Sequence, residues 1–420
     1  MRHVIVGTGP AGVVAAETLR RLDPAAAITL IGREPGPPYA RMALPYVLTG
    51  LIDERGTWLR KDPAHWDRLG IERLEDEAVA LDPAARTLRL ASGRTLDWDR
   101  LLLATGSTPV RPPIPGLEGE RVVHCWTLDD ARRIAAAARP GARVVLMGAG
   151  FIGCIIMEAL ATRGVQLTVV EMAPRMLARM MDDAGAEMIR AWCERKDITV
   201  LTGARVTAVA ADGGGHPLQV HIDDRGTPRV LDADLLICAT GVRPNTELVR
   251  DLADTDQGIL VDEHLAASLP GVFAAGDVAQ GRDFSTGGFS VHAIQPTAVE
   301  HGRVAARNMA GIETRYGGSL VMNVLDTLGL ITASFGRWEG VEGGETAVLA
   351  EPGRFRYLKL QLAGDRLVGA LAVGWTEHVG ILRGLIQTRV GLGPWRDRLL
   401  RDPTRVAEAY VARTQAIAAP

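Results

Sequence analysis

Lysine is almost missing from this chain: of 47 basic residues only Lys61, Lys196 and Lys359 are lysines. Arginine does the rest, so an arginine-rich stretch reflects the makeup of the whole chain and says little about partners. Net charge is equally scant. Lys+Arg 47 against Asp+Glu 50 leaves −3, with no global positive field to gather nucleic acid or anionic lipid. The four cysteines, Cys125, Cys154, Cys193 and Cys238, lie 29, 39 and 45 positions apart. No Cys-x-x-Cys occurs, which argues against both a zinc site and a local redox dithiol. Long apolar runs are missing too. The longest, Val144 to Met157, has 14 residues and three interrupting glycines, short of the roughly 18 to 20 that a membrane span needs. No transmembrane helix and no membrane partner are expected. The first strand begins at Met1 to Val6 and runs straight into glycines, without the pattern of an address label. A cytoplasmic enzyme acting on small molecules is the expectation.

What is present is an ordinary globular composition, 47% apolar and 23% charged, over 420 residues. At roughly 150 residues per domain that length predicts about three domains. Inside it lies a repetition. Residues 3 to 12 read His-Val-Ile-Val-Gly-Thr-Gly-Pro-Ala-Gly and residues 144 to 153 read Val-Val-Leu-Met-Gly-Ala-Gly-Phe-Ile-Gly, with glycine triplets 141 positions apart. A second echo, Ala104-Thr-Gly106 and Ala239-Thr-Gly241, is offset by 135. Each triplet precedes a helical stretch (13–22 and 154–163) and then a strand (27–31 and 166–170). That strand, glycine turn, helix, strand order is the context a dinucleotide fingerprint requires. Two copies of one nucleotide-binding design are implied. Residues 109–119, with four prolines, read as a crossing linker. The strand Gly271-Val-Phe-Ala-Ala-Gly-Asp277 is expected to return to the first domain. Beyond Tyr316, residues 319–332, 355–362 and 367–373 read as strands, and 375–388 and 407–415 as helices.

The chemistry of Gly-x-Gly-x-x-Gly is specific. The first glycine makes a tight turn, the second lets the backbone approach a pyrophosphate, and the third allows close helix-to-strand packing. The helix N-terminus meanwhile offers free N–H groups and a partial positive charge. Glu171, 18 residues past Gly153, stands where a carboxylate accepts hydrogen bonds from an adenosine ribose, and its charge disfavours a 2′-phosphate, so NADH is expected over NADPH. Arg175 is the residue able to reverse that preference if it reaches the phosphate. Glu34 is the matching acid of the first copy.

Taken together, Gly7-Thr-Gly-Pro-Ala-Gly12, Ala104-Thr-Gly106, Gly148-Ala-Gly-Phe-Ile-Gly153 with Glu171, Ala239-Thr-Gly-Val-Arg-Pro244 and Ala275-Gly-Asp277 resemble the FAD- and NAD(P)H-dependent pyridine nucleotide-disulfide oxidoreductases, over about residues 1 to 310. The resemblance implies an α/β fold of two Rossmann-like dinucleotide-binding domains, for FAD and for NAD, plus a smaller C-terminal α+β domain. The expected limits are 1–112 with 245–314 for FAD, 113–244 for NAD(P)H and 315–420 for the last. It implies FAD contacts at Gly7, Gly9, Pro10, Ala11, Gly12, Glu34, Arg41, Val79, Thr105, Gly106, Gly276 and Asp277, with Asp277 on the ribityl chain. It implies nicotinamide-nucleotide contacts at Gly148, Gly150, Phe151, Ile152, Gly153, Glu171 and Gly241. No metal is implied.

The branch is decided by Pro37-Pro-Tyr-Ala-Arg-Met-Ala-Leu-Pro-Tyr46. In disulfide reductases and NADH oxidases of the group a similar stretch carries a redox cysteine where this chain has Met42. A thioether forms neither thiolate nor disulfide. The stretch is similar instead to that of rubredoxin and ferredoxin reductases and the flavin portion of NADH-dependent nitrite reductases, in which Arg41 matches an FAD-phosphate arginine. Tyr46 and Ile155 replace the lysine and glutamate that many of those relatives pair near the flavin. Met42, Tyr46 and Gln295 are expected flavin neighbours, and no side chain is expected to act as catalytic acid or base. The expected activity is hydride transfer from NADH to FAD, then electron delivery to an iron-sulfur or rubredoxin-type protein. The alternatives are an NADH oxidase, a reductase of a small organic acceptor, or an NADH-responsive flavoprotein that acts through partner assembly. Arg396, Arg398, Arg401 and Arg405 are expected to form a solvated helix face.

Overall fold

The computed structural model describes residues 1–211 and 217–418. The chain divides into two compact units, Met1–Pro109 with Val242–Ser319, and Val110–Gly241 with Leu320–Pro420.

The first unit is built on a five-stranded parallel sheet. Its order is Val272–Ala274, Arg100–Leu103, Arg2–Val6, Ala27–Gly32, Ile71–Glu75. Arg2–Val6 is buried at every position after Arg2 because a central parallel strand is covered on both faces. The helix Pro10–Leu22 follows it, with Gly9 as N-cap, proline in the first turn and Arg20 and Arg21 in the last, the charge arrangement that a helix dipole favours. Its buried face of Ala11, Val13, Ala15, Ala16 and Leu19 packs against the helix Gln295–Met309. Close approach there depends on Gly302, whose missing side chain would meet the Ala11 carbonyl oxygen at 2.4 Å. The strand Val272–Ala274 joins the edge of this sheet as expected, paired with Arg100–Leu103.

The second unit contains a sheet of the same design. Its order is Val122–Val123, Leu235–Cys238, Arg143–Met147, Gln166–Glu171, Thr199–Thr202, all parallel. In both sheets the chain runs outward from the central strand on one side and later returns to pair with its other side, leaving a crevice at the C-terminal ends of the strands, where such sheets bind ligands. The repetition extends past the glycines. Each unit inserts a three-stranded antiparallel sheet, over residues 78–97 and 204–233, before the strand that pairs with the other side of its central strand, Arg100–Leu103 and Leu235–Cys238.

The second unit also holds a five-stranded antiparallel sheet in the order Met322–Thr327, Leu330–Gly336, Arg366–Val373, Arg356–Ala363, Glu345–Glu351. The sequence expectation differed here in three ways. Residues 319–332 are not one strand. Leu328 and Gly329 both have positive φ, 57° and 86°, the geometry of a two-residue hairpin turn, and fold the segment into two. The strand Glu345–Glu351 was not expected. A helix starts at Val379, after the residues from Trp375, and another spans Trp395–Arg401. On the helix Trp395–Arg401 Arg396 pairs with Glu345 and Asp397 and Arg398 lies over Trp395; Arg405, in the turn that follows, also lies over Trp395 and pairs with Glu408. Among the described residues no helix is long and apolar enough to cross a membrane.

Candidate functional site

The first cradle is built from the turn after Val6. Gly7 has φ +121°, and a Cβ there would lie 2.0 Å from the Ala104 carbonyl oxygen; one at Gly12 would lie 1.9 Å from the Gly7 carbonyl oxygen. Both positions therefore exclude side chains on packing grounds alone. Gly9 differs. A Cβ there would meet nothing within 4 Å, so the middle glycine opens onto space at the helix N-terminus, the room a pyrophosphate requires. Pro10 and Ala11 form the first turn beyond it.

Gly276, at φ +76°, rests against Ala11 and Ala298 and so brings Asp277 to the cradle. Burial pushes the Asp277 carboxyl above its ordinary range, against opposing pulls from the Ser107 hydroxyl, which donates to it at 2.9 Å, and the Arg41 charge. His301 supports this turn from behind, its Nδ1 accepting the Gly276 N–H at 3.3 Å. Burial lowers His301 to about 4, so it is a neutral acceptor.

Glu34 and Arg41 are brought together as an ion pair, and Tyr39 donates to Glu34 while accepting from Arg41 at 3.0 Å. Val79 sits half exposed on the adjoining antiparallel sheet. It is the extra residue of a bulge between Ala78 and Ala80, so the ladder leaves its backbone unpaired. The Thr105 hydroxyl, in contrast, donates to the Asn245 carbonyl at 2.9 Å. Asn245 also joins Thr105 and Thr108 through its side chain. Thr240 does the same in the second unit, donating to Val110 O at 2.7 Å. The threonine of each Ala-Thr-Gly thus fastens chain to chain, while Gly106 and Gly241, at φ +69° and +101°, face open space.

The second cradle repeats the first. A Cβ at Gly148 would lie 2.4 Å from the Ala239 carbonyl oxygen and one at Gly153 2.2 Å from that of Gly148, whereas Gly150 again meets nothing within 4 Å. Phe151 and Ile152 open the helix Phe151–Thr162 behind it. Glu171 ends its strand and accepts the Ala149 N–H at 2.6 Å and the Ala173 N–H at 2.7 Å, which fixes the carboxylate beside the glycine turn. Arg175 is held away from it. Its guanidinium donates to the Met181 and Ala178 carbonyls and pairs with Asp183 at 2.9 Å.

The geometry fits two dinucleotides: open middle glycines at two helix N-termini, a fixed acid at the second, and a buried carboxyl lacking full compensation at the first. It does not fit a sulfur relay. All four thiols are buried. Burial pushes Cys125 and Cys193 up to about 12 and Cys238 to about 11, and raises Cys154 as well. Met42 and Tyr46 are each 55% exposed, and Gln295 is the first residue of its helix.

Ser107, Asn245, Tyr39 and His301 were not anticipated. Ser107 follows Ala104-Thr-Gly106 directly and Asn245 follows Gly241-Val-Arg-Pro244, so adjacency to a motif was the available signal. His301 lies 24 positions past Asp277 and carries none.

The pyridine nucleotide-disulphide oxidoreductase family matches residues 1–302. The chain is 32% identical over 98% of its own length and 98% of the other's to the NADH-dependent phenylglyoxylate dehydrogenase subunit epsilon of Aromatoleum evansii. This chain belongs to the pyridine nucleotide-disulphide oxidoreductase family. It is an FAD-dependent NAD(P)H oxidoreductase. The rubredoxin-NAD(+) reductase of Pseudomonas putida is 29% identical over 75% of this chain and 81% of that one. The fold of this chain is similar to that of a chain in the crystal structure of the covalent putidaredoxin reductase-putidaredoxin complex, with TM-score 0.90 over 98% of this chain and 99% of the other at 24% identity.

Proposed function

We propose that this chain oxidises NADH, passes hydride to FAD and delivers the electrons to a separate small redox protein of iron-sulfur or rubredoxin type. Bound FAD supplies the exchange between a two-electron donor and a one-electron acceptor. The protein's own part is to bind and to set polarity. Gly7, Gly9, Pro10, Ala11 and Gly12 hold one pyrophosphate at a helix N-terminus, Glu34, Arg41 and Val79 meet the adenosine end, and Gly106, Gly276 and Asp277 meet the remainder of the flavin nucleotide. Gly148, Gly150, Phe151, Ile152 and Gly153 hold the other pyrophosphate, with Glu171 on the ribose and Gly241 at the strand ends. The Thr105 backbone contributes, its hydroxyl being engaged with Asn245.

The observation that carries the protein acceptor is the thiol chemistry. With Met42 at the relay position and every cysteine buried with its pKa raised, no thiolate stands ready to take electrons from the flavin. The likeness to a rubredoxin reductase, and to a relative that is itself a subunit, supports a protein on the receiving side. The engagement of Arg175 and the fixed Glu171 support NADH over NADPH. The antiparallel sheet of residues 322–373 supports a third domain from about residue 315, and the protein is assigned to the cytoplasm.

Anaerobic mixing with NADH should bleach the yellow holoprotein much faster than NADPH does. The reduced protein should then reduce an added ferredoxin or rubredoxin faster than it consumes oxygen. Equal rates with NADPH refute the role of Glu171. Faster turnover with oxygen or a small quinone replaces the protein acceptor with an NADH oxidase or small-molecule reductase.

A further inference from the structure

The loop between Glu171 and the helix Asp183–Glu194 starts at the carboxylate that meets the ribose of NADH in the reading above. It is pinned at its start by Glu171 and in its middle by Leu177, whose N–H donates to the Ala149 carbonyl at 2.9 Å. Leu177 holds φ +51°, a conformation that leucine does not adopt unless its surroundings impose it. Met176, Leu177, Met180 and Met181 are all buried. The loop is therefore one packed body rather than a free strap.

Its far end is Asp182, the N-cap of the following helix. One carboxylate oxygen accepts the Gly185 N–H at 3.1 Å. The other accepts from the Tyr357 hydroxyl at 2.7 Å and from the Lys359 ammonium at 3.0 Å, both on the C-terminal antiparallel sheet. Burial works against ionisation of Asp182, but these three donors outweigh it and hold the carboxyl below its ordinary range. Lys359 is one of only three lysines in the chain, and its side chain is 14% exposed. A compact ammonium on a flexible stem reaches a single carboxylate oxygen shared with a tyrosine, where the planar fork of arginine demands a different geometry. The exception to the arginine habit of this sequence thus falls where a point charge is needed.

The same helix is held a second time at its other end. Trp192 stacks edge-on against Phe355 with ring centroids 5.0 Å apart and donates to the Leu328 carbonyl at 3.2 Å. That contact is remote in sequence from the loop, so the two attachments can be separated by mutation.

We propose that Asp182, Tyr357 and Lys359 form a bracket through which the C-terminal sheet fixes the loop 172–182 and thereby sets the affinity for NADH. They are positioning residues: none is assigned contact with the nucleotide. The inference rests on the reading that residues 148–153 and 171 hold NADH. Releasing Asp182 frees one of three anchors of the loop, so binding weakens while the rate of hydride transfer from the bound complex stays the same.

The test is an anaerobic titration of flavin bleaching in the purified holoprotein, which separates the NADH dissociation constant from the limiting rate. Asp182→Asn keeps the cap and removes the charge; Lys359→Met removes its partner. Each should raise the dissociation constant about fivefold or more with the limiting rate within about twofold of wild type. The double variant should be no worse than either single, because both remove the same interaction. Trp192→Leu should lower the melting temperature without raising the dissociation constant. Unchanged NADH affinity in both single variants, additive losses in the double, or an equal loss in Trp192→Leu overturns the bracket. A wild-type flavin that NADH does not bleach overturns the nucleotide site itself, and is told apart because it needs no variant.

Discussion

Replacing Gly150 by alanine should injure nucleotide binding and spare the fold, whereas the same change at Gly153, three residues on, should injure the fold. At Gly153 the added Cβ falls 2.2 Å from a main-chain carbonyl oxygen, which cannot rotate away as a side chain does. Overpacking of this kind costs roughly 1 to 3 kcal/mol, equivalent to a fall of roughly 2 to 12 °C for a unit of this size. At Gly150 the backbone angles, φ −77° and ψ −168°, suit alanine, and the Cβ meets nothing within 4 Å. Two small effects oppose each other there. Restricting the unfolded chain stabilises by about 0.4 to 1 kcal/mol, and alanine is the poorer N-cap by a comparable amount. The melting temperature should stay within about 2 °C. The new methyl group does occupy the space that the proposed function gives to the pyrophosphate at the helix N–H groups. Loss of one hydrogen bond to a charged group, about 1.5 to 3 kcal/mol, weakens NADH roughly ten- to a hundredfold. Thermal melts followed by circular dichroism and anaerobic flavin bleaching by NADH measure both sides. If Gly150→Ala melts as low as Gly153→Ala, or binds NADH as tightly as wild type, the division of labour among the glycines is wrong.

Three other outcomes are expected. Alkylating reagents at mildly alkaline pH should leave the rate of flavin bleaching by NADH unchanged in the folded holoprotein, since all four thiols are buried and their pKa values raised; rapid inactivation would reveal a thiol working at the flavin. Asp277 has a folded pKa raised above its unfolded value, so ionising it subtracts stability as pH rises through the carboxylate range. Asp277→Asn should therefore make the flavin-free protein melt higher at neutral pH while it retains less FAD on gel filtration, and a lower melting point would contradict the assignment. His3 is buried with neither ring nitrogen partnered, and burial lowers it from 6.5 to about 4. Its stabilising effect is complete above pH 6.5 and is lost as pH falls toward 4, an acid penalty of roughly 3 kcal/mol. His3→Leu should move the acid-unfolding midpoint to lower pH, and an unmoved midpoint would show that His3 does not set it.

The nucleotide-binding design was legible in the chain because its determinants are local. A turn that demands positive φ, a middle residue without a side chain and a helix that starts beside it must be written in consecutive residues, as they are at 7–12 and 148–153. The acid Glu171 and the strand at Val272–Ala274 were legible for the same reason, each ending a short apolar run at a known distance from a motif. The last sheet was read less well. Its hairpin turns on Leu328, an ordinary residue with positive φ, and composition gives no warning of that.

What the sequence by itself determined is therefore the repeated dinucleotide cradle, the membership in a flavoprotein family and the loss of its sulfur relay, since each depends on residue identity at fixed short spacing. Only the tertiary structure decided that Thr105 and Thr240 fasten the chain, that Arg175 is tied to the Met181 carbonyl, that His301 supports Gly276 and that Lys359 reaches Asp182. Those contacts join a side chain to a backbone group or to another side chain up to 177 positions away. A hydrogen bond is set by distance in space, and the spacing of residues along the chain does not encode which distant groups the fold will bring within 3 Å.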